Sequence, residues 1–308
     1  MKAVFIDANG SLAVVARRLH QPDDIALLVN EQPDITPEQI PGVLGDAEIL
    51  IVDHTSLPVE IAQKCPALRH VVFLGTGARS YMNPEALAEI GIEVHIIKGY
   101  GDTAVAECAF ALMWASAKGF ANMDRGMRAG QWLRTDGVEL TGKTLGLIGF
   151  GGIAAEMARL ALGAGMKVMA YNRSPKIHPG VTFVDLDTLL SSCHVISVHL
   201  LLNDDTRGFI SAARIAQMRD GVILINTARG AVIDESALIA GLQSKKIAHA
   251  GLDVFDIEPL PADHPFTKID NVTLSAHSAF RTPEASDNLI QASLNHCRRI
   301  SGQGQQRS

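Results

Sequence analysis

The sequence contains no CxxC pair: its four cysteines, Cys65, Cys108, Cys193 and Cys297, lie far apart. Neither a disulfide framework nor a zinc knuckle is suggested. There is also no surplus of positive charge, since Lys and Arg total 27 against 33 Asp and Glu, a formal net charge of −6. A nucleic-acid binder would want a basic stripe, and an anionic membrane would call for a polybasic run. Long apolar runs are missing too. The amino terminus, MKAVFIDANG, meets Asp7 after four apolar residues, too few for a signal-peptide core. The stretch from Leu145 to Tyr171 is interrupted by Glu156, Arg159, Lys167 and several glycines, so it is no membrane span. None of the 11 histidines stands in HExxH spacing, and no metal is expected. What remains is a soluble, cytoplasmic globule with neither nucleic acid nor membrane as partner.

The 308 residues are 47% apolar and 19% charged, suited to two domains of about 150 residues each. Short β-branched runs alternate with helical patterns along almost the whole length. Strands are predicted at Ala3–Ile6, Glu48–Val52, His70–Leu74 and Ile92–Ile97, with helical stretches at Pro58–Lys64 and Pro84–Glu89. A Pro-free, Ala-rich segment from Asp102 to about Met127 reads as one long helix. A second series follows, with strands at Thr144–Ile148, Lys167–Tyr171, Val195–His199, Val222–Ile225, His249–Leu252 and Val272–Leu274. A last helix, Pro283 to about Ile300, packs back onto the first domain, and the Gly/Gln/Ser-rich tail from Ser301 to Ser308 is expected to fray. Strands alternating with helices imply βαβ units, hence an α/β protein of two doubly wound parallel-sheet domains.

Gly149-Phe150-Gly151-Gly152-Ile153-Ala154 follows a predicted strand and opens a predicted helix. The first glycine makes a tight turn, the second lets backbone approach a pyrophosphate, and a small third residue permits close helix–strand packing. The helix N-terminus then offers unpaired N–H groups and a positive dipole end to phosphate. A carboxylate usually stands about 20 residues on, bonding the adenosine 2′-hydroxyl. Here the position is Asn172, followed by Arg173 and Ser174, so no acid repels a 2′-phosphate and Arg173 can pair with one. NADP(H) is expected over NAD(H).

Three later segments carry polar residues just past apolar strands, where a doubly wound sheet places its ligand. They are Asn226-Thr227-Ala228-Arg229-Gly230, Leu252-Asp253-Val254-Phe255-Asp256-Ile257-Glu258-Pro259, and Ser275-Ala276-His277-Ser278. With these segments, Gly75-Thr76-Gly77, Ala104-Val105-Ala106-Glu107, Gly130-Gln131-Trp132 and the run Leu140 to Gly146, the chain resembles the D-isomer-specific 2-hydroxyacid dehydrogenases over nearly its whole length. That group includes glyoxylate/hydroxypyruvate reductases and phosphoglycerate dehydrogenases.

The resemblance implies a flavodoxin-like substrate domain over residues 1–100 and 282–308, and a Rossmann cofactor domain over 101–281. It implies a catalytic set of Arg229, Glu258 and His277. Arg229 would hold the substrate carboxylate and carbonyl oxygen through its donor fork. His277 would be the general acid toward a ketone oxygen, and Glu258 would orient its imidazole and favour the cation. Asp253 would grip the nicotinamide carboxamide. The remaining cofactor contacts would be Gly149, Gly151, Gly152, Ile153, Asn172, Arg173, Ser174, His199, Thr206, Thr227 and Ala228. The Gly75, Thr76 and Gly77 turn would offer N–H groups to the substrate carboxylate. Tyr100 would either touch substrate or pack at the hinge side.

Departures from the family pattern are Asp102 for a frequent Asn, Ala276 for a Pro, Leu201 for a Pro, and Phe280 at a usually small position bearing on substrate size. His54, alone at a strand end, reads as structural. Glu258 argues against a formate dehydrogenase, which carries Gln there. A phosphite dehydrogenase and a non-catalytic, nucleotide-sensing corepressor-like protein stay as alternatives. With its end at residue 308 the chain is not expected to carry the regulatory domain of long phosphoglycerate dehydrogenases. A homodimer is expected, built around the Asp102–Met127 segment.

Overall fold

The structure, a computed structural model, describes residues 1–302, so most of the tail lies outside it. The chain divides into two compact units, Met1–Gly101 with Thr282–Ser308, and Asp102–Arg281.

The first unit runs β1 (Lys2–Phe5), α1 (Gly10–Leu19), β2 (Ala26–Val29), α2 (Ile40–Leu44), β3 (Ile49–Val52), α3 (Val59–Ala62), β4 (His70–Phe73), α4 (Pro84–Glu89) and β5 (Glu93–Ile96). Its five strands form a parallel sheet in the order β2-β1-β3-β4-β5. Alternate side chains serve two separate cores. Val4, Leu50, Val52 and Val71 pack with Ile40, Leu44, Ile61 and Leu87 on one face. Ala3, Phe5, Ile49, Ile51 and Val72 face the other. Burial on both faces is why β3 reads as an unbroken apolar run, Ile-Leu-Ile-Val.

The second unit runs α5 (Asp102–Lys118), α6 (Phe120–Arg128), β6 (Thr144–Ile148), α7 (Gly152–Gly163), β7 (Lys167–Tyr171), β8 (Val181–Phe183), α8 (Leu186–Ser192), β9 (Val195–Val198), α9 (Ala212–Gln217), β10 (Val222–Asn226), α10 (Glu235–Gln243), β11 (Ile247–Leu252) and β12 (Val272–Leu274). Its seven-stranded parallel sheet has the order β12-β11-β10-β9-β6-β7-β8. Counted from β6, the order reverses between β6 and β9, so a ligand crevice is expected beyond the carboxyl ends of those two strands.

The chain then returns to the first unit as α11 (Pro283–Ile300). Thr282 caps it, its side chain accepting from the Ala285 N–H, with Pro283 in the first turn. Leu289, Ile290 and Leu294 cover Phe5 and Ile51 beside Leu12 and Ala16 of α1. Arg298 clasps the well-buried Asp24 carboxylate through Nε (2.6 Å) and Nη2 (2.7 Å), which holds that carboxyl below its ordinary range.

Two findings depart from the expected elements. The long helix is two helices, broken at Gly119 in the left-handed region (φ +65°). A Cβ there would sit 2.7 Å from Thr135 Cγ2, so both the turn and the packing demand glycine. The edge strands β2 and β8 were not expected; they are four and three residues long and only half covered, which leaves little apolar signal. Among the described residues no helix is long and apolar enough to cross a membrane.

Candidate active site

The glycine turn joins β6 to α7. Gly149 has φ +86°, and a Cβ on it would lie 2.5 Å from the His199 carbonyl oxygen. Gly151 caps α7 with no side-chain acceptor for the first-turn N–H groups, and nothing lies within 4 Å of a Cβ built on it. The approach to the helix N-terminus is therefore open, as a pyrophosphate needs. At Gly152 a Cβ would fall 1.7 Å from Asp102 Oδ2, so this glycine lets the start of α5 meet the start of α7. Ile153 packs into the core beneath.

Asn172 is spent on local structure: Oδ1 accepts from the Phe150 N–H (3.1 Å) and Nδ2 donates to the Ser174 carbonyl (2.8 Å). It ties the segment after β7 to the glycine turn. Arg173 is exposed, 3.7 Å from the equally exposed Asp205. After β9, His199 Nε2 meets Ser197 Oγ at 2.9 Å, and burial pushes its pKa down to about 4, so the ring is neutral. The Thr206 hydroxyl donates to the Leu201 carbonyl (2.6 Å) and shapes the following turn. Thr227 is buried with its hydroxyl oxygen unpartnered among the described residues. An orphaned buried hydroxyl at a strand end fits a missing polar ligand. Together with the open cradle at Gly151, it means that the residues present suit a dinucleotide.

The prospective chemical groups follow the next three strands. Past β10, Asn226 Nδ2 donates to the Arg229 carbonyl (2.9 Å) while Oδ1 accepts from the Ala228 N–H (3.0 Å), setting the path of the chain. A Cβ on Gly230 would lie 2.0 Å from the Phe255 carbonyl carbon, so the segment after β10 runs hard against the one after β11. The Arg229 side chain is exposed, donates from Nη1 to the Ala228 carbonyl (2.7 Å), and forms no ion pair among the described residues. Its donor fork is open to an anion.

Past β11 and β12, Glu258 Oε2 lies 2.6 Å from His277 Nδ1, and Glu258 Oε1 accepts from the Phe255 N–H (2.9 Å). The carboxylate is thus held at one oxygen and orients the imidazole with the other. His277 sits at φ +47°, an uncommon conformation for a non-glycine residue. Asp253, expected at a carboxamide, is fully buried under this loop: its carboxylate accepts from Ser275 Oγ and from the N–H groups of Ser278 (3.0 Å) and Ala279 (3.0 Å). Phe280 meets the His277 ring edge-on at 6.1 Å.

In the first unit, Gly75 has φ +151° and its N–H is spent on the Phe73 carbonyl (2.9 Å). The offer of N–H groups there narrows to those of Thr76 and Gly77, which donate no backbone hydrogen bond among the described residues. Tyr100 packs into the apolar core beneath α11, and its carbonyl accepts from Asn288 (3.4 Å). His54 bonds the Pro33 carbonyl (2.7 Å) and Asp53 (3.2 Å), a structural role. Ser275, Asn226 and Gly230 had no assigned part; only their places beside Arg229 and His277 could have signalled one.

Residues 110–279 match the D-isomer specific 2-hydroxyacid dehydrogenase NAD binding domain. The chain is 38% identical over 272 residues to a hydroxypyruvate reductase of Thermotoga maritima, covering 84% of this chain and 88% of that one. It is 34% identical over 279 residues to a glyoxylate reductase of Thermofilum pendens, covering 86% and 82%. An acyclic imino acid reductase, solved with NADPH and D-arginine, superposes with a TM-score of 0.83 at 28% identity, covering 98% of each chain. The glycine turn and the strand-end groups thus lie in a nicotinamide-dinucleotide domain, and the chain belongs to the D-isomer specific 2-hydroxyacid dehydrogenases, a family of oxidoreductases.

Proposed function

We propose that this protein is a 2-keto acid reductase that prefers NADP(H) and takes a small substrate such as glyoxylate or hydroxypyruvate. The His277–Glu258 pair at 2.6 Å carries the reading. Glu258 follows β11, the neighbour of β10 whose trailing segment carries Arg229, and His277 follows β12, the next strand out. Relatives named hydroxypyruvate reductase and glyoxylate reductase support the substrate class.

The dinucleotide would be held by Gly149, Gly151, Gly152 and Ile153 at the α7 N-terminus, by Asn172, Arg173 and Ser174 after β7, and by His199, Thr206, Thr227 and Ala228. Bound there, it supplies a hydride to a carbonyl carbon. Arg229 pairs with the substrate carboxylate through two parallel N–H donors and polarises the carbonyl oxygen. Within the first unit, the Thr76 and Gly77 N–H groups have no backbone acceptor among the described residues, which suits the anion-binding part the resemblance gives that turn. Because Nδ1 of His277 is committed to Glu258, Nε2 is the nitrogen that gives a proton to the carbonyl oxygen, or takes it back in the oxidative direction. The Phe280 ring at the edge of the imidazole favours a small group beyond the carbonyl. Asp253 serves by holding the loop that carries His277, and Tyr100 by packing.

The preference for NADP(H) rests on Arg173 and on the lack of an acid at position 172; the structural neighbour solved with NADPH is consistent with it. A homodimer is inferred from the far end of the Asp102–Met127 segment and the residues just past it. The α5 helix is core, with Ala106, Ala109, Leu112 and Met113 buried. Phe120, Met127 and Trp132 on and after α6 are instead exposed, Trp132 by 75%. A cytoplasmic setting accords with four unpaired cysteines.

The test is loss of NADPH absorbance, with NADH in parallel, over glyoxylate, hydroxypyruvate, pyruvate and phenylpyruvate. Turnover on any of these, faster with NADPH and reduced by roughly 10²–10⁴-fold in His277→Asn, is the expected result. No turnover of any keto acid, with both nucleotides bound, would overturn the reading in favour of phosphite oxidation or a nucleotide-sensing role.

A further inference from the structure

The first unit holds a cluster that the dehydrogenase reading leaves unused. β4 and β5 are paired in parallel, with His70 opposite Glu93 and Val72 opposite His95. The three polar side chains therefore project from the same face as Val72, the face that α1 and α11 cover, at the start of the sheet's edge strand. His95 Nε2 lies 3.3 Å from His70 Nδ1, and Glu93 Oε2 lies 3.7 Å from each of those nitrogens.

We propose that His70, Glu93 and His95 form a binding site for a divalent transition-metal ion, zinc foremost. A triangle with sides of 3.3, 3.7 and 3.7 Å has a circumradius of about 2.1 Å. That is within reach of the bond length zinc makes to imidazole nitrogen and carboxylate oxygen, and closing the exposed Glu93 by about 0.4 Å brings all three sides to the roughly 3.3 Å that separates tetrahedral donors around zinc. The donors serve one another poorly without an ion: the carboxylate is beyond hydrogen-bond range of both rings, and the ring–ring contact is at the long limit. Two imidazoles and one carboxylate suit zinc, cobalt or nickel rather than calcium or magnesium, which want more oxygen donors. With three protein ligands, the fourth position falls to water.

The surroundings agree. The His95 side chain is 16% exposed and His70 21% exposed, so the rings are held by packing while Glu93, at 68%, leaves an entry path. The His296 ring of α11 lies tilted at 5.6 Å from His95 with Nδ1 accepting from Arg299 (3.0 Å), and His296 does not belong to the cluster of donor atoms. HExxH spacing could not reveal such a site, because its ligands come from two strands. The site begins β4, whereas Gly75 follows it; five residues of extended chain put about 16 Å between them. The ion would fasten the edge strand and play no part in turnover.

The test uses the whole protein, stripped with EDTA and dialysed, then titrated with zinc chloride by calorimetry, with cobalt(II) visible absorption as the geometric readout. The expected result is one zinc per chain with Kd at or below about 10 μM, a tetrahedral cobalt spectrum, and a Tm that rises with zinc. His70→Gln and His95→Gln should each weaken binding at least tenfold and abolish the Tm response. Glu93→Gln, at an exposed position that folding tolerates, should weaken it about tenfold as well. His296→Ala should bind as the parent does. Reductase turnover should be the same stripped or loaded, so failure here leaves the functional reading intact. No binding at 1 mM zinc, or equal binding by the parent and all three ligand variants, would overturn the proposal.

Discussion

The backbone N–H of His277 donates to the Asp253 carbonyl at 2.7 Å, and the Asp253 carboxylate catches the two N–H groups that follow His277 in the chain. One buried acid thus fastens the loop on both sides of the imidazole, at the strained φ of +47°. Replacing Asp253 by Asn puts an NH2 group against one of those donors. Hydrogen bonds to a charged acceptor are worth about 1.5–3 kcal/mol. Asp253→Asn is therefore expected to lose stability of that order and to lower kcat more than it raises KM. Denaturant melts and steady-state kinetics check it; an unchanged kcat would mean the loop holds its shape without the acid.

Arg173 and Asp205 face each other across 3.7 Å at the surface, where an ion pair contributes little. A 2′-phosphate would take Arg173 from Asp205. Arg173→Ala should raise KM for NADPH by about tenfold, matching one charge-assisted contact, and leave NADH within twofold. Asp205→Ala should act the opposite way on NADPH. Equal effects on both nucleotides would remove Arg173 from the specificity argument.

The limits of α11 could be read almost to the residue, because Thr282-Pro283 is a helix start and the following apolar spacing is regular. β3 was as plain, being buried on both faces. The break at Gly119 was not legible, since the demand for glycine comes from Thr135, sixteen residues on and in contact only after folding. Glu258 and His277 are 19 residues apart, and no periodicity pairs them; their segments stand out as polar strand ends, and the resemblance alone gives them roles. Asp253 was nominated for a ligand that its burial does not expose it to. Cross-strand neighbours such as His70 and His95 lie outside any local pattern, because register, not spacing, brings them together.

Asp102 places a carboxylate against Gly152, the first residue of the helix whose N-terminus would receive phosphate. Burial and the neighbouring Glu156 raise its pKa, the mark of an anion poorly served by its surroundings. Asp102→Asn removes that charge while keeping the shape. The dinucleotide Kd should fall by about 3- to 10-fold, most at low ionic strength. Calorimetry in two salt concentrations is the check, and an unchanged Kd would count against phosphate at this helix.

His54 carries a pH dependence whose sign can be worked out. Asp53 chiefly, with Asp7 and the Pro33 carbonyl, raises its pKa to about 9 against some loss from burial. A folded-state pKa above the unfolded one favours folding fully below about 6.5 and fades as pH rises through 9. The ring is substantially exposed, so solvent screening keeps the effect under about 1 kcal/mol. Melting curves of the parent and His54→Gln should differ most at pH 6 and converge by pH 10. A gap that widened with pH would reverse the assignment.

The return of α11 to the first unit has a consequence for biosynthesis. The second unit is a continuous stretch, Asp102–Arg281, and can complete its core as soon as that stretch leaves the ribosome. The first unit, although translated earlier, waits for the last helix. Until α11 emerges, Phe5, Ile51 and Val72 lack the cover of Leu289, Ile290 and Leu294, and Asp24 lacks Arg298. The nascent amino-terminal third is thus an apolar surface in want of a lid, and the order of synthesis makes it a client for chaperones.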